Sequence, residues 1–142
     1  MIQKASFPIL PPSVNEVYSY NKHTGKKFKK SKSDDFQLLL RLKYLRGLEY
    51  MSGQIGVHIV FTQGYVEIPK PRDIDNMKKL LYDALTQSIV IKDDKYIIFD
   101  ITEKVYVQGK TLKEAQSKEK TEITLYNGED LDNLIEKAKK II

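Results

Sequence analysis

Two aspartates separated by one residue, Asp73 and Asp75, stand where a polar, proline-containing stretch gives way to a helical pattern of apolar residues. In an extended or turning backbone, side chains at i and i+2 leave the chain on the same side, so both carboxylates can face one cation; in a regular helix they diverge. The pair therefore fits the start of a helix, where the backbone is only partly helical and the free amides of the first turn hold carboxylates in place. The chain offers a cation few other ligands. It has no cysteine and only two histidines, His23 and His58. That excludes disulfides, thiolate zinc sites and cysteine nucleophiles, and leaves carboxylate oxygens, which suit hard ions such as Mg²⁺ or Mn²⁺. Asp93 and Asp94 follow the same helix after a short turn, and one of them can complete an oxygen shell if the fold brings it back to the pair.

Lys79 lies four residues after Asp75 and four before Asp83. On a helix the three share a stripe, which reads either as an i,i+4 charge ladder or as an ammonium set beside the acids to offset charge on a phosphate. Other meanings of Asp-x-Asp fail. An EF-hand loop needs Gly at its sixth position and Glu at its twelfth, where this chain has Lys78 and Ala84. No Gly-x-x-x-x-Gly-Lys loop exists, and with two histidines and no cysteine a nucleophilic triad has little material.

The net charge of +5 is unevenly spread. Up to Arg72 there are 12 basic and 5 acidic residues; from Asp73 onward there are 12 and 14. Lys22, Lys26, Lys27, Lys29, Lys30 and Lys32 form a block with no acid inside it, interleaved with His23 and Phe28 and preceded by Tyr18 and Tyr20. Lysines release counterions from phosphates and aromatic rings stack on unpaired bases, although a solvated loop has the same composition.

The elements that must position these residues follow from periodicity. Ile2 to Leu10 reads as a strand stopped by Pro11-Pro12. The turn-rich stretch Ser13 to Ser33 carries the lysines. Ser33 or Asp34 caps a helix expected to run to Glu49, and Gly53 to Phe61 alternates as a strand. His58 on that strand reads as a structural histidine. After the loop Gly64 to Pro71, apolar residues at 77, 80, 81, 84 and 85 mark an amphipathic helix ending near Thr86 to Ser88. Lys92 to Lys95 is a polar turn, Tyr96 to Val107 a long strand, Gly109 to Lys118 a polar connection and Thr121 to Tyr126 a further strand. Glu129 to Ile142 is a helix, acidic early and basic late. The expectation is one α+β domain over residues 1–142, with a mixed four-stranded sheet and the order β-α-β-α-β-β-α. No apolar run approaches the roughly 18 residues of a membrane span. The start Met-Ile-Gln-Lys-Ala-Ser lacks the apolar stretch of a signal peptide, so a cytoplasmic setting is expected.

Taken together, Pro11-Pro12-Ser13-Val14-Asn15 after the first strand, Arg72-Asp73-Ile74-Asp75-Asn76, Lys79, Asp83-Ala84-Leu85-Thr86 and Asp93-Asp94 closely resemble the RusA family of Holliday junction resolvases. The resemblance covers roughly residues 5 to 126. It implies Mg²⁺ (or Mn²⁺) held by Asp73, Asp75 and Asp94, assistance from Lys79, and supporting roles for Asn76 and Asp93. It further implies DNA contacts from the lysines of residues 22–32 and from Arg72, and a homodimer that nicks a four-way junction symmetrically in DNA recombination and repair. Two departures stand out: Lys92 replaces an apolar residue that many family members place before the Asp pair, and the helix over 129–142 extends beyond the shared core. Two competing readings use the same residues. One is a non-catalytic junction-binding protein, the other a Mg²⁺-dependent nuclease that prefers flaps or forks.

Overall fold

The computed structural model describes residues 1–12, 18–20, 27–29 and 31–141. Its centre is the strand β4 (Ile55–Tyr65), whose alternating Ile55, Val57, Ile59 and Phe61 are all buried on one face. On one side β4 pairs in parallel with the edge strand β5 (Ile97–Gln108), and on the other it pairs antiparallel with β6 (Lys120–Tyr126), which in turn pairs antiparallel with β1 (Ile2–Phe7). The sheet order is β1-β6-β4-β5. A parallel pair cannot be joined by a hairpin, so the chain between β4 and β5 must cross over. Helix α2 (Ile74–Gln87) makes that crossing. It buries Met77, Leu80, Leu81, Ala84 and Leu85, the stripe read from the sequence, against the inner face of the sheet.

Helix α1 (Ser31–Leu39) adds Phe36 to the same core, where its ring meets that of Phe7 at 6.3 Å between centroids. The expected run of this helix to Glu49 is corrected. It widens into a π-helical turn (Leu40–Tyr44) and stops, with Leu45 N–H donating to the Leu40 carbonyl. The Gln3 side chain takes both backbone groups of Glu49, donating to its carbonyl at 2.8 Å and accepting from its N–H at 2.7 Å. A distant amide thus supplies what another helical turn would have supplied.

The lysine-rich stretch expected as loop contains a two-stranded ladder, β2 (Tyr18–Tyr20) antiparallel to β3 (Lys27–Lys29). Lys22, Lys26 and Lys30 lie outside the described residues, as does His23. The polar connection after β5 holds a short helix, α3 (Leu112–Ser117), capped by Thr111 Oγ1 accepting from Glu114 N–H at 3.1 Å. It packs so closely on the sheet that a Cβ at Gly64 would overlap the Ala115 carbonyl, and one at Gly109 would overlap the Ala115 backbone. The C-terminal helix α4 (Gly128–Ile141) covers the other end of this outer face, with Leu131 seated where a side chain at residue 56 would be. One α+β domain with a mixed four-stranded sheet therefore holds as expected.

Helix α2 ends in a Schellman motif. Ile89 N–H donates to Thr86 O and Val90 N–H to Leu85 O, with Ile89 at φ 56° in the left-handed region that glycine usually fills. Val90 is thereby turned back into the core, and its carbonyl accepts from Met51 N–H at 2.7 Å.

Candidate active site at the start of helix α2

Asp73 is the N-cap of α2. Its backbone is extended (φ −69°, ψ 118°), its Oδ1 accepts from Asp75 N–H at 2.9 Å, and helical bonding begins with Met77 N–H on its carbonyl. This is a half-extended, half-helical junction, and it lays the Asp73 carboxylate on the backbone of Asp75. Asp73, Asp75 and Lys79 are exposed and Asn76 is half-buried. The apolar stripe that buries one side of α2 leaves this polar side outward.

The Asp93–Asp94 pair stands at the turn between α2 and β5. Asp93 caps the 3₁₀ turn Asp94–Tyr96, its Oδ1 accepting from Lys95 N–H at 3.1 Å, which holds its carboxyl below the usual range. Asp94 is raised, first by its hydrogen bond with Asp93, then by burial and by the charges of Asp93 and Asp83. Its charge in turn reaches Tyr82. The 3₁₀ turn that carries Asp94 packs against α2. Among the described residues no group of three acids is placed to hold a metal ion. Asp73 and Asp75 alone nonetheless suit Mg²⁺, which keeps several waters and commonly takes one or two carboxylates together with substrate phosphate.

The residues that carry this arrangement were not singled out by the sequence. Asp100 on β5 accepts from Thr102 Oγ1 at 2.5 Å, from Lys78 at 3.0 Å and from the Tyr82 hydroxyl. Burial opposes its charge, but these hydrogen bonds and the Lys78 charge outweigh it and hold the carboxyl below its usual range. Burial first, and then Asp100, push the Tyr82 hydroxyl far above its usual range, so it is a permanent donor. Lys78 and Tyr82 are one turn apart on α2, so a single carboxylate grips one stripe of the helix and sets its rotation. Lys78 is committed to this grip, while the neighbouring stripe of Asp75, Lys79 and Asp83 faces outward. At the other end of the helix, Lys104 Nζ on β5 donates to Arg72 O at 2.6 Å. Gln63, near the end of β4, donates from Nε2 to Lys70 O at 2.5 Å, and Gln108 holds Val66 O in the same way at 2.9 Å. An irregular loop thus has its carbonyls collected by side chains of two strands. The signal was present in β5, where Asp100, Thr102, Lys104 and Tyr106 alternate as a polar face, one unlike the inner face of a buried strand.

Arg72 is half-buried, and its Nη1 donates to Pro11 O at 3.0 Å, which ties the proline step after β1 to the residue before Asp73. Lys32 is exposed near the start of α1, and Lys27 and Lys29 stand at the two ends of β3. His58 lies on the outer face of β4 with Nε2 3.4 Å from Glu103 Oε1, away from the acids of α2, as a structural histidine should.

The family model for endodeoxyribonuclease RusA covers residues 8–125, which includes both helices of the inner layer, the Asp73 to Asp94 segment and nearly all of β6. No curated protein matches the chain.

Proposed function

The chain belongs to the RusA family of endodeoxyribonucleases, and on that premise we propose that it is a Mg²⁺-dependent endonuclease that resolves four-way DNA junctions by paired, symmetric nicks. The observation that carries the reading is the exposed Asp73–Asp75 pair capping α2, with Lys79 one turn further along the same outward face. In the proposed reaction water attacks phosphorus in line and the bond to the 3′ oxygen breaks. Water's hydroxyl stays on a 5′-phosphate and its proton goes to the 3′-hydroxyl. When bound, a divalent ion supplies Lewis acidity at the phosphate and makes water a better acid at neutral pH. Asp73 and Asp75 hold it, with Asp94 as the family's third ligand and Asn76 and Asp93 in support. Lys79 offsets charge on the pentavalent phosphorane. Lys22, Lys26, Lys27, Lys29, Lys30, Lys32 and Arg72 bring the junction to the site, and a homodimer in the cytoplasm places one site on each of two strands. No helix among the described residues is long and apolar enough to cross a membrane.

A second reading is a junction-binding protein that does not cut; it draws on the fact that no group of three acids among the described residues is placed to hold a metal ion. Labelled four-way, flap, fork and duplex DNA, incubated with Mg²⁺ or with EDTA, decide between them. Symmetric nicks in the four-way junction alone, lost in EDTA, support the first reading. Binding without nicks supports the second, and preferential cutting of flaps or forks refutes the junction assignment.

A further inference from the structure

Lys104 on β5 donates from Nζ to Arg72 O at 2.6 Å, the carbonyl immediately before Asp73. That bond brings an ammonium to the peptide from which the cap of α2 begins. It uses one donor and leaves the other N–H groups of the ammonium without a hydrogen-bond partner among the described residues. The side chain is half-buried, and Nζ lies 5.8 Å from the centroid of the Tyr106 ring. A ring face and a carbonyl both attract a cation, and neither neutralises it.

Lys78 shows what is missing. Both lysines fasten α2 to β5, but Lys78 meets the Asp100 carboxylate at 3.0 Å, whereas no carboxylate pairs with Lys104 among the described residues. Drawing an ammonium partly out of water without a counter-ion is destabilising. The tie to a loop carbonyl does not require that charge. Gln63 and Gln108 make the same kind of bond to Lys70 O and Val66 O with neutral amides. Only the tie beside Asp73 is made by a lysine. What lysine adds there is a positive charge with donors to spare.

Lys79 lies one turn past Asp75, and Lys104 reaches the residue before Asp73, so two ammoniums bracket the exposed carboxylate pair. A strand whose scissile phosphate lies at the pair with Lys79 carries its next phosphate past one end of it, where Lys104 is the waiting cation. We infer that Lys104 is a further substrate-contacting residue of the cutting site, which holds the phosphate adjacent to the scissile one through the donors that Arg72 O leaves free. The inference rests on the nuclease reading, and adds to it a cation supplied from β5.

The test removes the charge from each side of the contact. Four-way junctions are made with one methylphosphonate, in which a neutral methyl group replaces a charged oxygen, at either phosphate flanking the scissile one. They are cut in single turnovers by the wild type, by Lys104→Gln, which keeps a donor for Arg72 O, and by Lys104→Met, which keeps the stem. The expected result is one flanking position at which methylphosphonate slows the wild type about tenfold. Both variants are about tenfold slower than the wild type on the natural junction, and methylphosphonate at that position slows neither of them further. If one variant does not fold, the other completes the comparison. A role confined to holding the backbone slows the variants equally on both substrates and leaves their sensitivity to methylphosphonate intact, which overturns the inference. Wild-type cutting that is indifferent to methylphosphonate at both positions also overturns it, and leaves the nuclease reading standing. If no DNA is cut, the nuclease reading fails separately, and the same comparison is read from binding in EDTA. Affinity lowered about tenfold by methylphosphonate in the wild type and unchanged in Lys104→Gln retains the contact, while equal effects on the two proteins, including none, overturn it.

Discussion

Replacing Asp73 by asparagine and, separately, by alanine divides its two duties. As N-cap it accepts from Asp75 N–H at 2.9 Å through Oδ1. Asparagine caps helices about as well as aspartate, so Asp73→Asn keeps that bond. The lost attraction between charge and helix N-terminus is about 0.3–1 kcal/mol, and relief of repulsion from Asp75 two residues away opposes it. The expected net change is within about 0.5 kcal/mol. Asp73→Ala removes the cap and is destabilising by about 1 kcal/mol, or roughly 4 °C in melting temperature for a chain of this size. Both variants lose the carboxylate and cut at least about 100-fold more slowly, while junction binding in EDTA is preserved. Thermal melts and single-turnover cleavage on the three proteins measure all of this. Cutting by Asp73→Asn near the wild-type rate refutes its role in the chemistry, and equal melting temperatures for the two variants refute the cap.

Ile89→Gly should stabilise the protein by about 1 kcal/mol, since a β-branched residue at φ 56° is strained and this side chain is 71% exposed and gives up little burial; a lower melting temperature contradicts this. Gly64→Ala should be destabilising by about 1–3 kcal/mol through the clash with the Ala115 carbonyl, read as a lower urea midpoint. Asp100 has its carboxyl held below the ordinary value of about 3.9, so its contribution to stability is complete above that value and is lost as pH falls through the lower folded-state value. The stability gap between wild type and Asp100→Asn should therefore be constant above about pH 5 and shrink below about pH 4; a gap independent of pH removes the charge from the account. Changing Lys26, Lys27, Lys29 and Lys30 together to alanine should flatten the salt dependence of junction binding, by about 0.9 in the log–log slope for each phosphate that is no longer neutralised. An unchanged slope clears these lysines of any part in holding DNA.

Most of the scaffold was legible because its signals are local. The apolar spacing of α2, the alternation in β4 and β6 and the charge gradient of α4 each sit within one element and survive into the fold. What escaped the sequence depends on partners far along the chain. The segment after helix α1 leaves the helix, and the backbone of Glu49 is held by Gln3, more than forty positions away. Asp73 and Asp75 could be read as a pair because their geometry is set by two residues of backbone. Whether Asp94 joins them depends on how β5 lies along α2, and spacing is silent on that. Asp100 and Lys104, the residues that fix that lie, resembled ordinary polar positions on a strand.

The two attachments of α2 to β5 also constrain how this chain can change. Arg72 meets residue 104 and the Lys78–Tyr82 stripe meets residue 100, so helix and strand run in opposite senses and are fastened at two rungs. Inserting or deleting one residue between Asp73 and Lys78 would turn the following helix by about 100° and slide it about 1.5 Å. The two rungs could then no longer be occupied together, and the apolar stripe would leave the sheet. Length variation among relatives is expected in the connections before β4 and after β5, while the interval from Arg72 to Lys104 behaves as a measured part whose residue count is itself under constraint.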